Sequence, residues 1–351
     1  MESNLTAMSR SKNPLTISVA IATYNRSAMV KSAVEAALTQ SRAPLEVVVS
    51  DDASTDDTIS VIANLAQADP RVKLLRQETN SGGVRNWNRA IQATTGDLIA
   101  WCSDDDCYRA GHLGASAAYL EQHPQIGMVH SGFVDWIDTP EASRMEERAL
   151  RYRKTSVFDQ RNLLRYMLRY YNWPFHPSTI VMRRRVWEEV GAFNPAYALA
   201  DTEWFVRAVR AFPVAMLARH GVNNRRHLGN WSNRLGSVAM QREILEIVDH
   251  AIAEAYKARS VRRQLWSQAW RTNVRLRLLL TVYSRLRSGH ADAASAAWNA
   301  ALGETIFPKH SAGIFSSLQG RLVRTGDQWL RAKASRALPV ADSSRQRVSP
   351  L

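Results

Sequence analysis

At 351 residues with 45% apolar side chains, the chain is long enough for about two domains and too apolar to be disordered. Its formal charge is +14, and no apolar run approaches the roughly 18 residues that a membrane-spanning helix needs. Its two cysteines, Cys102 and Cys107, have no nearby histidine partners; they form neither a disulfide framework nor a zinc site, and suit a reducing compartment. The polar start, residues 1–15, reads as a flexible leader without the apolar core of a signal peptide, so the expected location is the cytoplasm.

In chain order, Ile17–Ala22 is a β-rich run ending in "TYNR", followed by a helical pattern over Met29–Gln40. Leu45–Ser50 is a second strand, stopped by "DDASTDD". A helix at Thr58–Ala66, a strand at Val72–Leu75, a helix at Val84–Ala93 and a strand at Leu98–Cys102 follow. Strands alternating with helices predict βαβ units and a parallel sheet. A helix at Gly111–Gln122 and a strand at Ile126–His130 come next, and Thr139–Lys154 turns polar and irregular, as lids often are. The pattern then predicts a helix at Arg161–Tyr171, a strand at Thr179–Met182, and helices at Arg184–Val190 and Asp201–Ala211. An Asn- and Arg-rich loop occupies Asn223–Arg234.

Beyond a boundary near Gly236 the pattern is purely helical: Val238–Lys257, Val261–Arg287 and His290–Leu302. The expected organisation is a first domain over 16–235, a basic helical region over 236–338, and a frayed tail over 339–351. The positive charge lies mainly in the helical part. Residues 1–235 carry 28 Lys and Arg against 24 Asp and Glu, or +4, whereas residues 236–351 carry 18 against 8, or +10. The helix over 261–287 has an apolar stripe through Leu265, Leu276, Leu279 and Leu286 beside several arginines. It fits packing on the first domain or a second subunit, and equally peripheral contact with anionic lipid.

The chemistry gathers where strands end. The run "DLIAWCSDDD" delivers Asp104, Asp105 and Asp106 at the carboxyl end of a strand, where ligands of open α/β sheets bind. Three adjacent carboxylates repel one another unless they stay solvated, pair with Arg or Lys, or share a hard cation such as Mg²⁺ or Mn²⁺. The alternative is a helix cap by Asp106 with two solvated neighbours. Asp51 and Asp52 suit a hydrogen bond from a nucleobase or ribose, and suit turn chemistry as well. Arg85 is open to phosphate or a surface salt bridge. Neither a P-loop nor a G-x-G-x-x-G pattern occurs.

"ISVAIATYNR", "VVVSDDASTDDT", "ATTGDLIAWCSDDD", "VGAFNPAYALADTEWFVRA" and "RRHLGNWS" stand in the order and spacing of one family. Over about Thr16 to Arg234 the chain resembles the inverting family 2 glycosyltransferases of the GT-A fold. The resemblance implies an α/β fold with a Rossmann-like, mixed but mostly parallel sheet flanked by helices, here followed by an all-α C-terminal region. It also implies a nucleotide-sugar donor and Mn²⁺ or Mg²⁺. By that likeness Thr23, Tyr24, Asn25 and Arg26 form a donor loop with Tyr24 near the base. Asp51 and Asp52 lie at the base, Asp52 reading its edge, and Arg85 is a donor contact. Asp104 falls at ribose or metal and Asp105 at the metal bridging the diphosphate. Ser103 stands where many members have the first Asp of a D-x-D motif, which leaves the ligand choice between Asp105 and Asp106 open. Trp87-Asn88 stands where an Arg-Asn pair is frequent.

Asp201, in "ALADTEW", falls at the family's catalytic carboxylate, a general base for an acceptor hydroxyl; its other reading is an N-cap. His227 completes the metal shell, touches the diphosphate, or is a structural histidine. Arg225 and Arg226 suit phosphate. Trp173 and His176 form an acceptor wall or pack internally. The expected activity is metal-dependent inverting transfer of a sugar to a hydroxyl of a glycan or lipid-linked acceptor in surface polysaccharide synthesis, at the inner face of the membrane if peripheral. A sugar-phosphate nucleotidyltransferase would want a Gly- and Lys-rich loop where "IATYNRS" stands. A nucleic-acid-binding or anionic-surface-binding protein is a further alternative. No nucleic-acid module is present, so nucleic acid is not expected as a partner. Oligomeric state is open.

Overall fold

The computed structural model describes residues 13–140, 142–146, 154–159, 162, 175–227, 229–230 and 237–255. The chain divides into two compact units, residues 1–235 with 246–263 and residues 236–245 with 264–351. In the second unit the described residues are 237–245, which begin the helix Ser237–Ala255. The helices expected over 161–171, 261–287 and 290–302 lie outside the described residues, apart from Asn162.

The first unit is a mixed α/β sheet flanked by helices. Three strands, β1 (Ile17–Thr23), β2 (Glu46–Asp51) and β4 (Leu98–Ser103), are buried almost throughout, and their centres read in sequence as mainly apolar runs rather than alternating ones, as in strands covered on both faces. With β3 (Val72–Arg76) they pair in parallel in the order β3-β2-β1-β4. The connections are α1 (Ser27–Leu38), α2 (Thr58–Ala68) and α3 (Gly83–Gln92). In α1 the buried residues Val30, Ala33, Val34 and Ala37 form one face at the helical repeat. The register sets Thr23 beside Asp51 and Ala22 beside Ser103, so the loops after β1, β2 and β4 open on one edge. The sheet order turns at β1, which is where a ligand crevice forms.

The other half is mixed. Strand β9 (Ile180–Arg183) runs antiparallel between β4 and β6 (Met128–Thr139). Strand β10 (Val214–Arg226) lies parallel to β6 and antiparallel to the two-residue β5 (Cys107–Tyr108) and to β8 (Ser156–Phe158). Helices α4 (His112–Gln122), α5 (Arg184–Val190) and α6 (Ala200–Ala211) complete the unit, and the helix Ser237–Ala255 is α7.

Two expectations are corrected. The stretch after Thr139 contains a strand, β7 (Ala142–Glu146), paired antiparallel with Asp135–Thr139, rather than only irregular loop. The loop expected from Asn223 is strand as far as Arg226. Its polarity hides the strand, because Asn224 and Arg225 are buried by pairing within the fold. Cys102 and Cys107 are both free thiols.

Glu46 ties the opposite end of the sheet together. It accepts hydrogen bonds from Ser18 Oγ (2.7 Å), the Thr95 amide (2.6 Å) and Thr95 Oγ1 (2.8 Å), and pairs with Lys73. Burial pushes its carboxyl up, but Lys73, Ser18 and Thr95 outweigh burial and hold it at about 2. A carboxylate depressed on folding contributes stability above its unfolded pKa and loses it as pH falls through the folded one. The expected loss for Glu46 therefore lies between about 4.5 and about 2. Urea unfolding should show Glu46→Gln less stable than wild type at pH 6 by on the order of 2–3 kcal/mol, with the difference shrinking towards pH 2.

Candidate functional site

The loop after β1 is latched to the loop after β2. Asn25, at φ 52°, donates its amide to Ser54 Oγ (2.9 Å), and its side-chain oxygen accepts from the Thr55 amide (2.8 Å). Ala53 also has positive φ, 62°, an uncommon conformation for a residue with a Cβ and one that clusters at ligand-binding loops. The latch leaves Tyr24 44% exposed, free to stack on a planar ligand. Asp52 holds the loop before α3. Its oxygens accept from Gln77 Nε2, the Ser81 amide and hydroxyl, and the Gly82 amide, all at 2.8–2.9 Å. Three of these bonds fall on Oδ1 and one on Oδ2, so Asp52 shapes the loop and keeps acceptor capacity at Oδ2. Asp51 Oδ2 accepts from the Ser54 amide, while the buried Oδ1 has no partner among the described residues. Arg85 is exposed on the first turn of α3, its Nη1 3.3 Å from the Ser81 carbonyl.

The acidic triplet is resolved by giving each carboxyl a different partner. Asp104 Oδ2 accepts from Thr23 Oγ1 at 2.8 Å. Asp105 Oδ2 takes Arg26 Nη1 at 2.6 Å, His227 Nε2 at 3.1 Å and Asn230 Nδ2 at 3.3 Å. Asp106 turns inward, accepting from Ser178 Oγ and the Arg225 amide. Burial raises the carboxyls of Asp104 and Asp106 well above the usual range, with the neighbouring charge of Asp105 adding to the rise. Burial also opposes ionisation of Asp105, but the bond from His227 and the Arg26 charge win and hold it below the ordinary value. The negative charge of the triplet is thereby concentrated on Asp105. The Gly229 amide donates to His227 Nδ1 at 3.1 Å, which leaves Nε2 to carry the proton toward Asp105.

Of Arg225 and Arg226, expected at phosphate, Arg225 is buried within the fold, whereas the Arg226 side chain is 42% exposed. Arg225 stacks 3.8 Å over the Trp136 ring and lies 3.6 Å from Asp138, and Arg226 Nε contacts Asp135 at 3.1 Å. Trp173 lies outside the described residues.

Asp201 sits in the first turn of α6, where its charge meets the positive end of the helix. Leu199, not Asp201, is the N-cap, so the capping reading is not the one taken. Asp201 lines a small cavity with Trp101, Phe175, Pro177, Ile180 and Phe205, and burial among these rings pushes its carboxyl up. His176 lies within electrostatic reach of both Asp105 and Asp201. Its Nδ1 is 3.6 Å from Asp106 Oδ2, and burial holds the ring neutral, with its pKa near 4.

The segment leading to Asp201 is held from beneath. Asn88 clamps the Phe193 backbone with two reciprocal bonds of 2.9 Å, and Trp204 Nε1 donates to the Gly191 carbonyl at 2.7 Å. Phe193 packs among Trp87, Trp101, Trp187 and Trp204, with ring centroids 4.7–6.0 Å apart. Sequence reading missed Asn88 as a clamp, along with Ser178 and Asn230, because their partners are far away in the chain.

A family profile described as Glycosyl transferase family 2 matches residues 18–191, from β1 through α5. This catalytic unit belongs to glycosyl transferase family 2. The glycosyltransferase is 36% identical over 115 residues to the GalNAc(5)-diNAcBac-PP-undecaprenol beta-1,3-glucosyltransferase of Campylobacter jejuni, a match covering 32% of this chain and 36% of that one. Its fold is similar to S. aureus TarS in complex with UDP-GlcNAc (TM-score 0.55, 17% identity, 72% of this chain and 70% of that one). It is also similar to the mannosyltransferase PcManGT of Pyrobaculum calidifontis in complex with GDP-Man and Mn²⁺ (TM-score 0.50, 18% identity, 92% and 85%). These likenesses show that the fold is GT-A-like.

Asn88→Ala leaves the Phe193 amide and carbonyl without their partner. Chemical denaturation should show a loss of about 2 kcal/mol, whereas an exposed substitution such as Arg85→Ala should leave stability within roughly 0.5 kcal/mol.

Proposed function

We propose that this glycosyltransferase is metal-dependent and inverting, moving a sugar from a nucleotide-sugar donor to a hydroxyl of a glycan or lipid-linked acceptor in surface polysaccharide assembly. The reading rests above all on one observation: Asp104 Oδ1, Asp105 Oδ2 and His227 Nε2 all approach one point, 3.5, 2.6 and 3.3 Å from Arg26 Nη1, at the carboxyl edge of the parallel strands. The nucleotide sugars and Mn²⁺ bound by TarS and PcManGT, and the lipid-linked acceptor in the Campylobacter enzyme's name, support the same reading. In it the donor domain covers 16–235, and the basic helical region over 236–338 meets an anionic membrane from the cytoplasmic side. Among the described residues no helix is long and apolar enough to cross a membrane.

The donor set suits Mg²⁺ or Mn²⁺: two hard carboxylate oxygens, joined by an imidazole once His227 moves its proton to Nδ1 and releases the Gly229 amide. Among the described residues no three such side chains are close enough to hold an ion as they stand; Arg26 lies between them. Asp104 and Asp105 would hold the cation, with His227 at its side and Asp106 kept as an internal support. When bound, the cation stabilises charge gathering on the leaving diphosphate. Tyr24 stacks on the base, and Asp51 and Asp52 lie at the end of β2 on the same edge, with Asp52 Oδ2 reading the base. Asp201 accepts the proton of the acceptor hydroxyl as that oxygen attacks the anomeric carbon from the side opposite the diphosphate. One displacement inverts the configuration. The apolar walls around Asp201 raise its basicity and exclude water. His176, neutral beside it, borders the acceptor.

Thermal-shift screening of nucleoside diphosphates and nucleotide sugars with Mn²⁺, Mg²⁺ or EDTA tests the donor site. The expected result is a metal-dependent rise in melting temperature with one base, lost in Asp105→Ala; no rise with any nucleotide would count against the proposal. Asp201→Asn should retain donor binding while kcat falls by roughly 10²–10⁴. Because the base works only when ionised and burial raises its pKa, the wild-type rate should fall on acidification at a higher pH than an unperturbed Asp would give.

A further inference from the structure

We infer that Arg26 is a built-in counterion that occupies the cation position of the donor-free site and leaves it only when a diphosphate arrives. The inference rests on the donor-site reading above and adds a regulation to it. Arg26 Nη1 lies among the same three atoms that would hold the metal, closest to Asp105 at 2.6 Å. Its Nη2 donates to the Gly229 carbonyl at 3.1 Å, so one side chain ties the loop after β1 to the turn after β10. Asp105, its side chain 14% exposed and flanked by two further carboxyls, has the Arg26 guanidinium as its positive partner at 2.6 Å, and the same nitrogen lies 3.5 Å from Asp104. In the absence of a divalent cation Arg26 supplies the positive charge.

The backbone of Arg26 is fixed. Its amide donates to Thr58 Oγ1 at 2.9 Å, and its carbonyl accepts from the Met29 and Val30 amides at the start of α1. Only the side chain is free to change partners, and its reach is that of a long rotatable stem. A guanidinium matches phosphate oxygens as well as it matches a carboxylate. An arriving diphosphate therefore offers Arg26 a second anion, and its departure exposes Asp104 and Asp105 to the cation. A divalent ion alone meets a site already neutralised and repels the guanidinium. Metal and nucleoside diphosphate then promote each other's binding, as linkage requires.

The test is Mn²⁺ titration of the full chain, read by the electron paramagnetic resonance of free Mn²⁺ and by melting temperature, for wild type, Arg26→Gln and Arg26→Lys, each alone and with UDP or GDP. Wild type should bind Mn²⁺ about tenfold or more tightly with the diphosphate than without it. Arg26→Gln should bind Mn²⁺ alone about tenfold more tightly than wild type. Its melting temperature should fall in EDTA and recover with Mn²⁺. Arg26→Lys, which keeps the charge, should exclude Mn²⁺ as wild type does. Equal Mn²⁺ affinity of wild type and Arg26→Gln without nucleotide overturns the inference, even where a diphosphate brings its own metal; the donor-site reading then stands. Should Arg26→Gln not fold with or without Mn²⁺, the wild type and Arg26→Lys decide: a Lys variant that takes up Mn²⁺ alone, or a wild type whose Mn²⁺ affinity ignores the diphosphate, overturns it. A wild type that binds no nucleoside diphosphate with any metal removes both readings.

Discussion

Three carboxyls in a row, two buried and the middle one half-buried, are an electrostatic problem before they are a binding site. The protein solves it by separating their partners: Asp104 on Thr23, Asp106 on Ser178 and the Arg225 amide, and Asp105 on Arg26 and His227. Burial raises the carboxyls of the outer two, while the bond from His227 and the charge of Arg26 hold the middle one below its ordinary value. Much else follows from this arrangement. The turn from His227 to Asn230 folds over Asp105, and the long strand β10 ends where its backbone can serve Asp106. Asn25 holds the loop that aims Arg26.

The two halves of the sheet divide the work. The parallel half carries the loops after β1, β2 and β4, all on one edge because parallel strands all end on the same side. The mixed half carries His176, Asp201 and the aromatic cavity, and the insertion of β9 beside β4 brings them next to the acidic cluster. Ser178 joins the halves, donating to Asp106 while accepting from the Ser103 amide at 2.9 Å. Asn88 and the rings around Phe193 fix the segment ahead of α6, so Asp201 on one half keeps its place relative to the acidic cluster on the other.

Much of the parallel half was legible in the sequence. Its strands are short apolar runs, its helices have one apolar face, and the polar loops fall between them, so periodicity alone marks each element. The mixed half was less legible. In β10 the residues Asn224, Arg225 and Arg226 look like loop, yet they are strand because Asp135, Asp106 and Trp136 satisfy them. The same limit applies to the site. Asp105 and Asp201 stand out by motif and position. That Asp52 holds Ser81 and Gly82, or that Arg225 stacks on Trp136, depends on neighbours no spacing rule announces.

The sequence by itself determined the alternating strands and helices, the placement of acidic residues at strand ends and the family to which the catalytic unit belongs. Hydrophobic period and motif order are local properties, carried by residues close together in the chain. Only the tertiary structure decided which carboxyl is charged and which cation faces it. Arg26 and Asp105 are 79 residues apart, and Asn230 and Asp105 are 125 apart. Burial and Coulomb energy depend on distance in space, and that distance exists only once the strands have paired.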